Sequence, residues 1–160
     1  DTSDIVLRPA CGWRDCWRLY RWRNDPSTRA MMRRRAPIGL VEHWQWFRAV
    51  QADPTRPAYV ALLAGMPVGS GRLDISDVGR RAELAVMVAP DYRARGIGTA
   101  IIRALVREAM RLGCVTCVAE IRVENKASYQ AFQRAGFRGF LKDRSVNGNG
   151  KFIGLWRSCV

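Results

Sequence analysis

Two hydrophobic rhythms divide the chain. Ile5-Val6-Leu7-Arg8 is a short apolar run stopped by Pro9, which predicts a first strand. A helix is predicted from about Trp13 to Arg23, ending before Asn24-Asp25-Pro26, and a shorter helical piece over Thr28 to Arg33. From Leu40 to Gln51 the apolar residues Val41, Trp44, Phe47 and Val50 recur at helical spacing and predict a core-facing stripe. Asp53-Pro54 and Arg56-Pro57 break the chain. Strands are then predicted over Ala58–Leu63 and Val68–Ile75, joined as a hairpin across Ala64-Gly65-Met66-Pro67. Ala82 to Val88 reads as a further strand, ended by Pro90. A long helix follows from about Gly98 to Leu112, with Ile101, Leu105, Ala109 and Leu112 on one stripe and Gly113 as its stop. Val115–Ile121 is a strand, Ala127–Ala135 a helix capped by Gly136. Phe137–Leu141 and Phe152–Trp156 are closing strands, antiparallel around Asn147-Gly148-Asn149-Gly150. The sum is a mixed α/β layer fold on one central sheet.

With 160 residues the chain suits a single domain. No apolar run is long enough for a membrane-spanning helix. The first residues, Asp-Thr-Ser-Asp, show neither a basic stretch nor an apolar one, so no signal peptide is visible. The missing initiator Met is compatible with a processed chain, a trimmed one, or one cut from a larger protein. Lys and Arg number 27 against 14 Asp and Glu, a formal charge of +13, and almost all of the excess is arginine. Guanidinium grips phosphate and carboxylate in a bidentate manner, so an anionic ligand or a scattered arginine-rich surface both fit. The densest run is Arg33-Arg34-Arg35. No zinc-finger spacing, RNA-binding motif or helix-turn-helix pattern accompanies it, which makes nucleic acid a minor expectation.

Five cysteines, irregularly spaced, argue against a secreted disulfide framework and for a reducing cytoplasm. Cys114-Val-Thr-Cys117 has the spacing of a metal ligand pair. It opens a strand-like run, however, where residues three apart face opposite ways, and His43 is the only histidine. Small buried hydrophobes are the better reading, and no metal is expected.

The segment from Glu83 to Ala100 carries the most chemistry. A buried strand ends, and Arg93-Ala94-Arg95-Gly96-Ile97-Gly98 opens a helix. Glycines let the backbone N–H groups turn inward, and the helix start aims unpaired amides and a positive dipole at the same point. The alternative is an ordinary glycine turn. Neither a Walker loop nor the dinucleotide fingerprint is present.

That loop resembles the [QR]-x-x-G-x-[GA] acetyl-coenzyme A loop of the GNAT superfamily of N-acetyltransferases. Asn125-Lys-Ala-Ser128-Tyr-Gln-Ala-Phe132-Gln-Arg-Ala-Gly136-Phe137 resembles the second motif of that family, at the expected separation. The resemblance covers nearly the whole chain. It implies one GNAT-type domain, with a mostly antiparallel sheet, a splayed parallel strand pair and helices on both faces. Residues 1–57 would be acceptor-side elements and 58–160 the cofactor-binding core. It also implies that backbone groups around Val86, Met87 and Val88 pair with the pantetheine arm, and that the loop Arg93, Ala94, Arg95, Gly96, Ile97, Gly98 and Thr99 holds the pyrophosphate. Asn125 and Phe132 would lie along the cofactor near the reaction centre.

Acetyl transfer from the thioester needs a neutral amine, so a carboxylate must take a proton directly or through water. The resemblance offers Glu83, favoured, and Glu120. Each also reads as a strand-end carboxylate in a salt bridge, for instance with Arg122 or Arg72. Phe132 stands where many relatives carry a Tyr as general acid and cannot donate a proton. Tyr129 is a substitute candidate or a packing residue, and a thiol of pKa about 8.5 scarcely needs an acid.

The acceptor side contains Trp22-Arg23-Asn24-Asp25-Pro26-Ser27-Thr28-Arg29 and Glu42-His43-Trp44-Gln45-Trp46-Phe47. This is similar to GNAT enzymes of nucleotide-sugar pathways, notably the amino-sugar N-acetyltransferases of pseudaminic acid biosynthesis; similar modules occur fused to sugar hydrolases. It implies Trp22, Arg23, Asn24 and His43 as acceptor contacts and a nucleotide-linked amino sugar as acceptor. Peptide or ribosomal-protein N-termini come next, then aminoglycosides and amino acids. On the bland reading the tryptophans are core, Asn24-Asp25-Pro26 is a helix stop and His43 a hydrogen-bonded helix residue. A non-catalytic acetyl-CoA-binding module is the other class. Sheet-mediated homodimers are common among similar proteins.

Overall fold

The computed structural model describes residues 4–78, 80–145 and 151–159. In chain order its elements are β1 (Val6–Pro9), α1 (Gly12–Asn24), α2 (Pro26–Ala30), α3 (Leu40–Ala52), β2 (Ala58–Leu63), β3 (Met66–Ser76), β4 (Arg81–Val88), α4 (Ile97–Arg111), β5 (Thr116–Arg122), α5 (Lys126–Arg134), β6 (Arg138–Ser145) and β7 (Lys151–Ser158). The strands form one mixed sheet in the order β1-β2-β3-β4-β5-β7-β6. Among the described residues only β4 and β5 run parallel. The tip of the last hairpin, Asn147 to Gly150, lies outside the described residues.

Strand alternation divides the side chains between two cores. On one face Tyr59, Ala61, Leu73, Ala82 and Leu84 pack under α4, together with Phe132 and Phe137. Ile101, Leu105 and Ala109 of α4 are fully buried there, each large side chain worth about 2 kcal/mol of hydrophobic burial. Leu112, expected on the same stripe, lies past the last turn and is partly exposed. The other face carries α1 and α3 over Val60, with Cys16, Leu19 and Phe47 buried and Trp22, Trp46 and Met87 at the margin.

Close approach of α4 to the sheet requires glycine on β3. A Cβ on Gly71 would lie 2.7 Å from Leu105 Cδ1, and one on Gly69 would lie 2.5 Å from the Met87 carbonyl. The Gly-Ser-Gly spacing inside a strand is the sequence signal for such an approach.

Two helices depart from the predicted pattern. α2 begins at Pro26, not Thr28, because the Asp25 carboxylate accepts from the N–H groups of Ser27 and Thr28, both at 3.1 Å, and Pro26 fills the first position at no hydrogen-bond cost. The helix therefore stops at Ala30, and residues 31–39 become a connecting segment. In α3 the buried stripe is His43, Phe47 and Val50. Val41 and Trp44 instead join Trp13, Trp17 and Leu40 in an exposed apolar groove between α1 and α3, about 500 Å³ in volume. The reading that the acceptor-side tryptophans are core holds only in part, since Trp44 is 40% exposed. Cys117 lies in the core against Cys159, not against Cys114.

Candidate active site

The parallel pair opens into a V. Its ladder joins Arg81 to Thr116, Ala82 to Cys117 and Glu83 to Val118, and goes no further. From Leu84 onward β4 still pairs with β3 as far as Val88 with Gly69, while β5 pairs with β7 as far as Arg122 with Phe152. The facing edges of β4 and β5 beyond Glu83 and Val118 thus have no strand partner. Val86 and Val88 turn their main-chain N–H and C=O groups to this open edge, where an extended amide-bearing arm can join as a short extra strand, whereas those of Met87 face Ser70 on β3.

The V opens toward the start of α4. The loop leaves β4 through a single turn at Pro90–Tyr92, and Ala94 and Gly96 both take left-handed conformations (φ 60° and 76°). Gly96 is the helix cap and no side chain caps the amides that follow it, at Ile97, Gly98 and Thr99. A Cβ on Gly98 would lie 3.5 Å from Val88 Cγ2 and 3.8 Å from Ala131 Cβ. Gly98 therefore keeps side-chain atoms out of the junction of β4, α4 and α5. These residues fit a pyrophosphate held by main-chain N–H groups at a helix start. The Ile97 side chain is buried, so only its amide is available.

Three predicted cofactor residues have other duties in the fold. Arg93 donates to the hydroxyls of Ser27 and Thr28 and pairs with Asp25 at 3.5 Å, so its guanidinium ties the loop to α2 and is not free for phosphate. The Asp25 carboxyl is held below its ordinary value, first by the Ser27 hydroxyl and also by Arg93. Arg95 stacks over Tyr92 at 5.6 Å and forms no ion pair among the described residues, which leaves it as the loop's own cation. Phe132 corrects the expectation more fully: at 2% exposure, edge-on to Phe137, it is core with no surface to offer a ligand. Asn125 accepts from the Ser128 N–H as the cap of α5, which occupies its carbonyl oxygen.

Glu83 and Glu120 share the sheet face that carries α1 and α3. The register places Glu83 beside Val118, and Glu120 follows two residues on, where the V is open. Their partner is neither Arg72 nor Arg122. Arg72 pairs with Asp74, at 2.9 Å, and lies over Trp46. Buried Arg122 donates to the main-chain carbonyls of Met32 (2.6 Å) and Arg33 (3.0 Å), pinning the 31–39 segment to the end of β5. That grip places the Arg33 side chain between the two carboxylates, 2.9 Å from Glu120 Oε2 and 3.6 Å from Glu83 Oε1. Glu120 Oε1 is buried and accepts no hydrogen bond among the described residues. The sequence marks Arg33 only as part of the densest basic run, and nothing in its pattern pairs it with these carboxylates; the position of the 31–39 segment does so.

The remaining acceptor-side expectations divide. His43 is buried, its Nε2 against the Cys16 carbonyl at 2.9 Å and its ring between Tyr20 and Trp46. Burial lowers its pKa, and it joins α1 to α3 without facing the V. Asn24 closes the 31–39 segment, bonding both the N–H and the C=O of Ile38 at 2.9 Å. Trp22 packs at the margin of the second core beside Met87, on the acceptor face. Arg23 has a buried Nη1 with no partner among the described residues, and burial together with Arg34 lowers its pKa. Tyr129 turns its hydroxyl to Gln133, 3.1 Å away, and toward Gly139 on β6.

Residues 15–137 match the model of the acetyltransferase (GNAT) family. The chain belongs to the GNAT acetyltransferases. As a GNAT acetyltransferase it is an acyltransferase, and acetyl-CoA is its acetyl donor. An uncharacterized N-acetyltransferase of Methanocaldococcus jannaschii is 36% identical over 85 residues, which span 49% of this chain and 38% of that protein. An uncharacterized N-acetyltransferase of Bacillus subtilis is 27% identical over 119 residues, 74% of this chain and 76% of that one. Among solved structures, a spermidine N-acetyltransferase from Vibrio cholerae with CoA and spermine superposes with TM-score 0.83 at 17% identity, covering 98% of this chain and 96% of the other. An aminoglycoside acetyltransferase with coenzyme A and kanamycin gives TM-score 0.82 at 19% identity, covering 97% and 95%. At such identities the likeness is one of fold.

Proposed function

We propose that this GNAT domain transfers acetyl to the primary amine of a small acceptor, with Glu120 as the base and the acceptor entering from the face that carries α1 and α3. The carrying observation is the buried, unpartnered Glu120 Oε1 in the open part of the V. Glu83 lies at the closed end and is the more exposed of the two, so it acts as a second carboxylate that positions the ammonium. Acetyl-CoA supplies an activated thioester. The chain's own residues do the rest. The loop at 95–99 and the free edge of β4 would fix the donor, with the main-chain N–H groups of Val86 and Val88 on that edge available to its carbonyl. Glu120 takes a proton from the ammonium so that nitrogen can attack. Tyr129 faces β6, which leaves the departing thiolate to water.

An amino sugar is the acceptor class favoured here. Half-buried Trp22 offers an apolar ring face at the margin of the acceptor side, and Glu83 and Glu120 offer oxygens to amine and hydroxyl donors. A polyamine is the second reading. It is supported by the same two carboxylates and by a structural neighbour solved with spermine. The test is thiol release from acetyl-CoA with amino sugars, polyamines and short peptides as acceptors. Acetyl-CoA stabilisation without turnover on any amine would instead leave a binding module.

A further inference from the structure

Arg33 occupies the place where the acceptor's nitrogen must go. Its Nη2 bridges Glu120 Oε2 and Glu83 Oε1, the two carboxylates of the proposed reaction, so one terminal nitrogen already does what an ammonium would do. The pairing satisfies Glu120 only on one side, because Oε1 has no donor among the described residues. An ammonium has three N–H groups and can serve both oxygens of Glu120 and reach Glu83. The main chain that carries Arg33 is fixed at Met32 and Arg33 by Arg122, and at Ile38 by Asn24. The Arg33 side chain itself is more than half exposed. Exchange therefore requires only that a long, flexible side chain swing outward on a stationary backbone.

Once displaced, the guanidinium finds no spare carboxylate among its described neighbours. Glu42 is paired with Arg34, Glu124 with Arg35 at 3.3 Å, and Asp74 with Arg72 and Arg56. Its remaining neighbour on the wall is the ring of Phe152, with Arg122 already on that ring. A plain amine would thus exchange one cation for another and leave Arg33 unpaired in a chain of net charge +13. We propose that Arg33 selects the acceptor: it holds the ammonium seat between Glu120 and Glu83 until a molecule with both an amine and a nearby anionic group arrives, the amine taking the carboxylates and the anion taking the freed guanidinium. This rests on the acceptor face assigned above and narrows the acceptor to amines with an adjacent phosphate or carboxylate.

The test compares glucosamine, glucosamine 1-phosphate and glucose 1-phosphate by calorimetry on the wild type, Arg33→Ala and Arg33→Lys, with turnover measured in parallel. Wild type is expected to bind the amino phosphate about tenfold more tightly than either single-function sugar. In Arg33→Ala the advantage over glucosamine falls to about twofold, while glucosamine itself binds more tightly than in wild type because its seat is vacant. Arg33→Lys retains most of the preference, a rescue that a merely structural residue would not show. An equal advantage in wild type and Arg33→Ala overturns the proposal. So does glucose 1-phosphate binding as well as the amino phosphate, or no binding of any of the three below about 10 mM. Because binding is read directly, the proposal stands or falls apart from turnover; absence of thiol release with every amine, at normal acetyl-CoA affinity, would count only against the catalytic assignment.

Discussion

Replacing Glu120 by Gln removes a proton acceptor while nearly preserving shape. With a polyamine as the assay acceptor, whose alkylammonium has a pKa near 10.4, only about one amine in a thousand is neutral at pH 7.4. If Glu120 collects the proton, the enzyme draws on the whole amine pool; without it, only the neutral fraction reacts. E120Q should therefore lower kcat/KM by roughly 10²–10³, a barrier increase of about 2.7–4.1 kcal/mol. The structural cost is much smaller. Gln keeps a carbonyl for Arg33, and the pair it replaces joins side chains 26% and 56% exposed, so the change in stability is below about 1 kcal/mol. That amounts to a Tm shift of about 2–4 °C or less. The assay is continuous thiol detection from about pH 7 to 9, with acetyl-CoA affinity measured on the same samples. The variant's rate should climb about tenfold per pH unit, following the neutral amine, while wild type rises less steeply. E83Q should lose less and show the wild-type slope. If E120Q stays within about threefold of wild type at pH 7.4 with unaltered slope, and E83Q does too, neither carboxylate handles the proton and the reasoning fails.

Gly71→Ala puts a methyl 2.7 Å from Leu105 Cδ1, and should cost about 1–3 kcal/mol in urea unfolding through displacement of α4. Gly98→Ala meets only ordinary contacts at 3.5 and 3.8 Å, so its melting temperature should stay near wild type while calorimetric affinity for acetyl-CoA falls about tenfold, the methyl lying where the phosphate approaches. Asp15 is buried; burial alone would raise its pKa, but hydrogen bonds from Arg8 and the Cys11 N–H outweigh it and the net value is lowered. Its stabilisation is complete above the unfolded value near 3.8 and is lost as pH falls through the folded value, so Asp15→Asn should flatten the acid limb of urea midpoints measured between about pH 6 and 3. Tyr59, buried and donating to Glu108 at 3.0 Å, is pushed up to about 12. Ultraviolet titration should show a tyrosinate step absent from Tyr59→Phe, with the associated stability present below pH 10 and lost as pH rises through 12.

Elements whose meaning is local are legible in the residues themselves. The strand–loop–helix from Glu83 to Ala100 lies in eighteen consecutive residues, and glycine placement, strand apolarity and helix start together dictate its shape. The β2–β3 hairpin, the α4 stripe and the α5 cap are of the same kind. Periodicity misleads where a neighbour decides which face turns inward. In α3, Val41 and Trp44 have the right spacing, but α1 presents the Cys16 carbonyl to His43, and the helix turns that way. α2 starts and stops earlier than its pattern suggests because the cap at Asp25 outweighs the propensity of the residues after Thr28.

Glu83 and Glu120 stand out as candidates through a family resemblance, yet residues 37 apart have no defined separation until β4 and β5 pair for three residues and then part. Arg33, fifty residues before Glu83, reads in sequence as part of an anion-binding run of three arginines, with nothing to link it to the two carboxylates. It reaches them only because Arg122, buried on β5, holds its carbonyl and that of Met32. Hydrophobic pattern and turn chemistry act over a few residues, so the sequence alone determined most of the elements and the glycine-bearing loop that opens α4. Which charges meet across the open sheet depends on chain segments brought together by folding, and only the tertiary structure decided it.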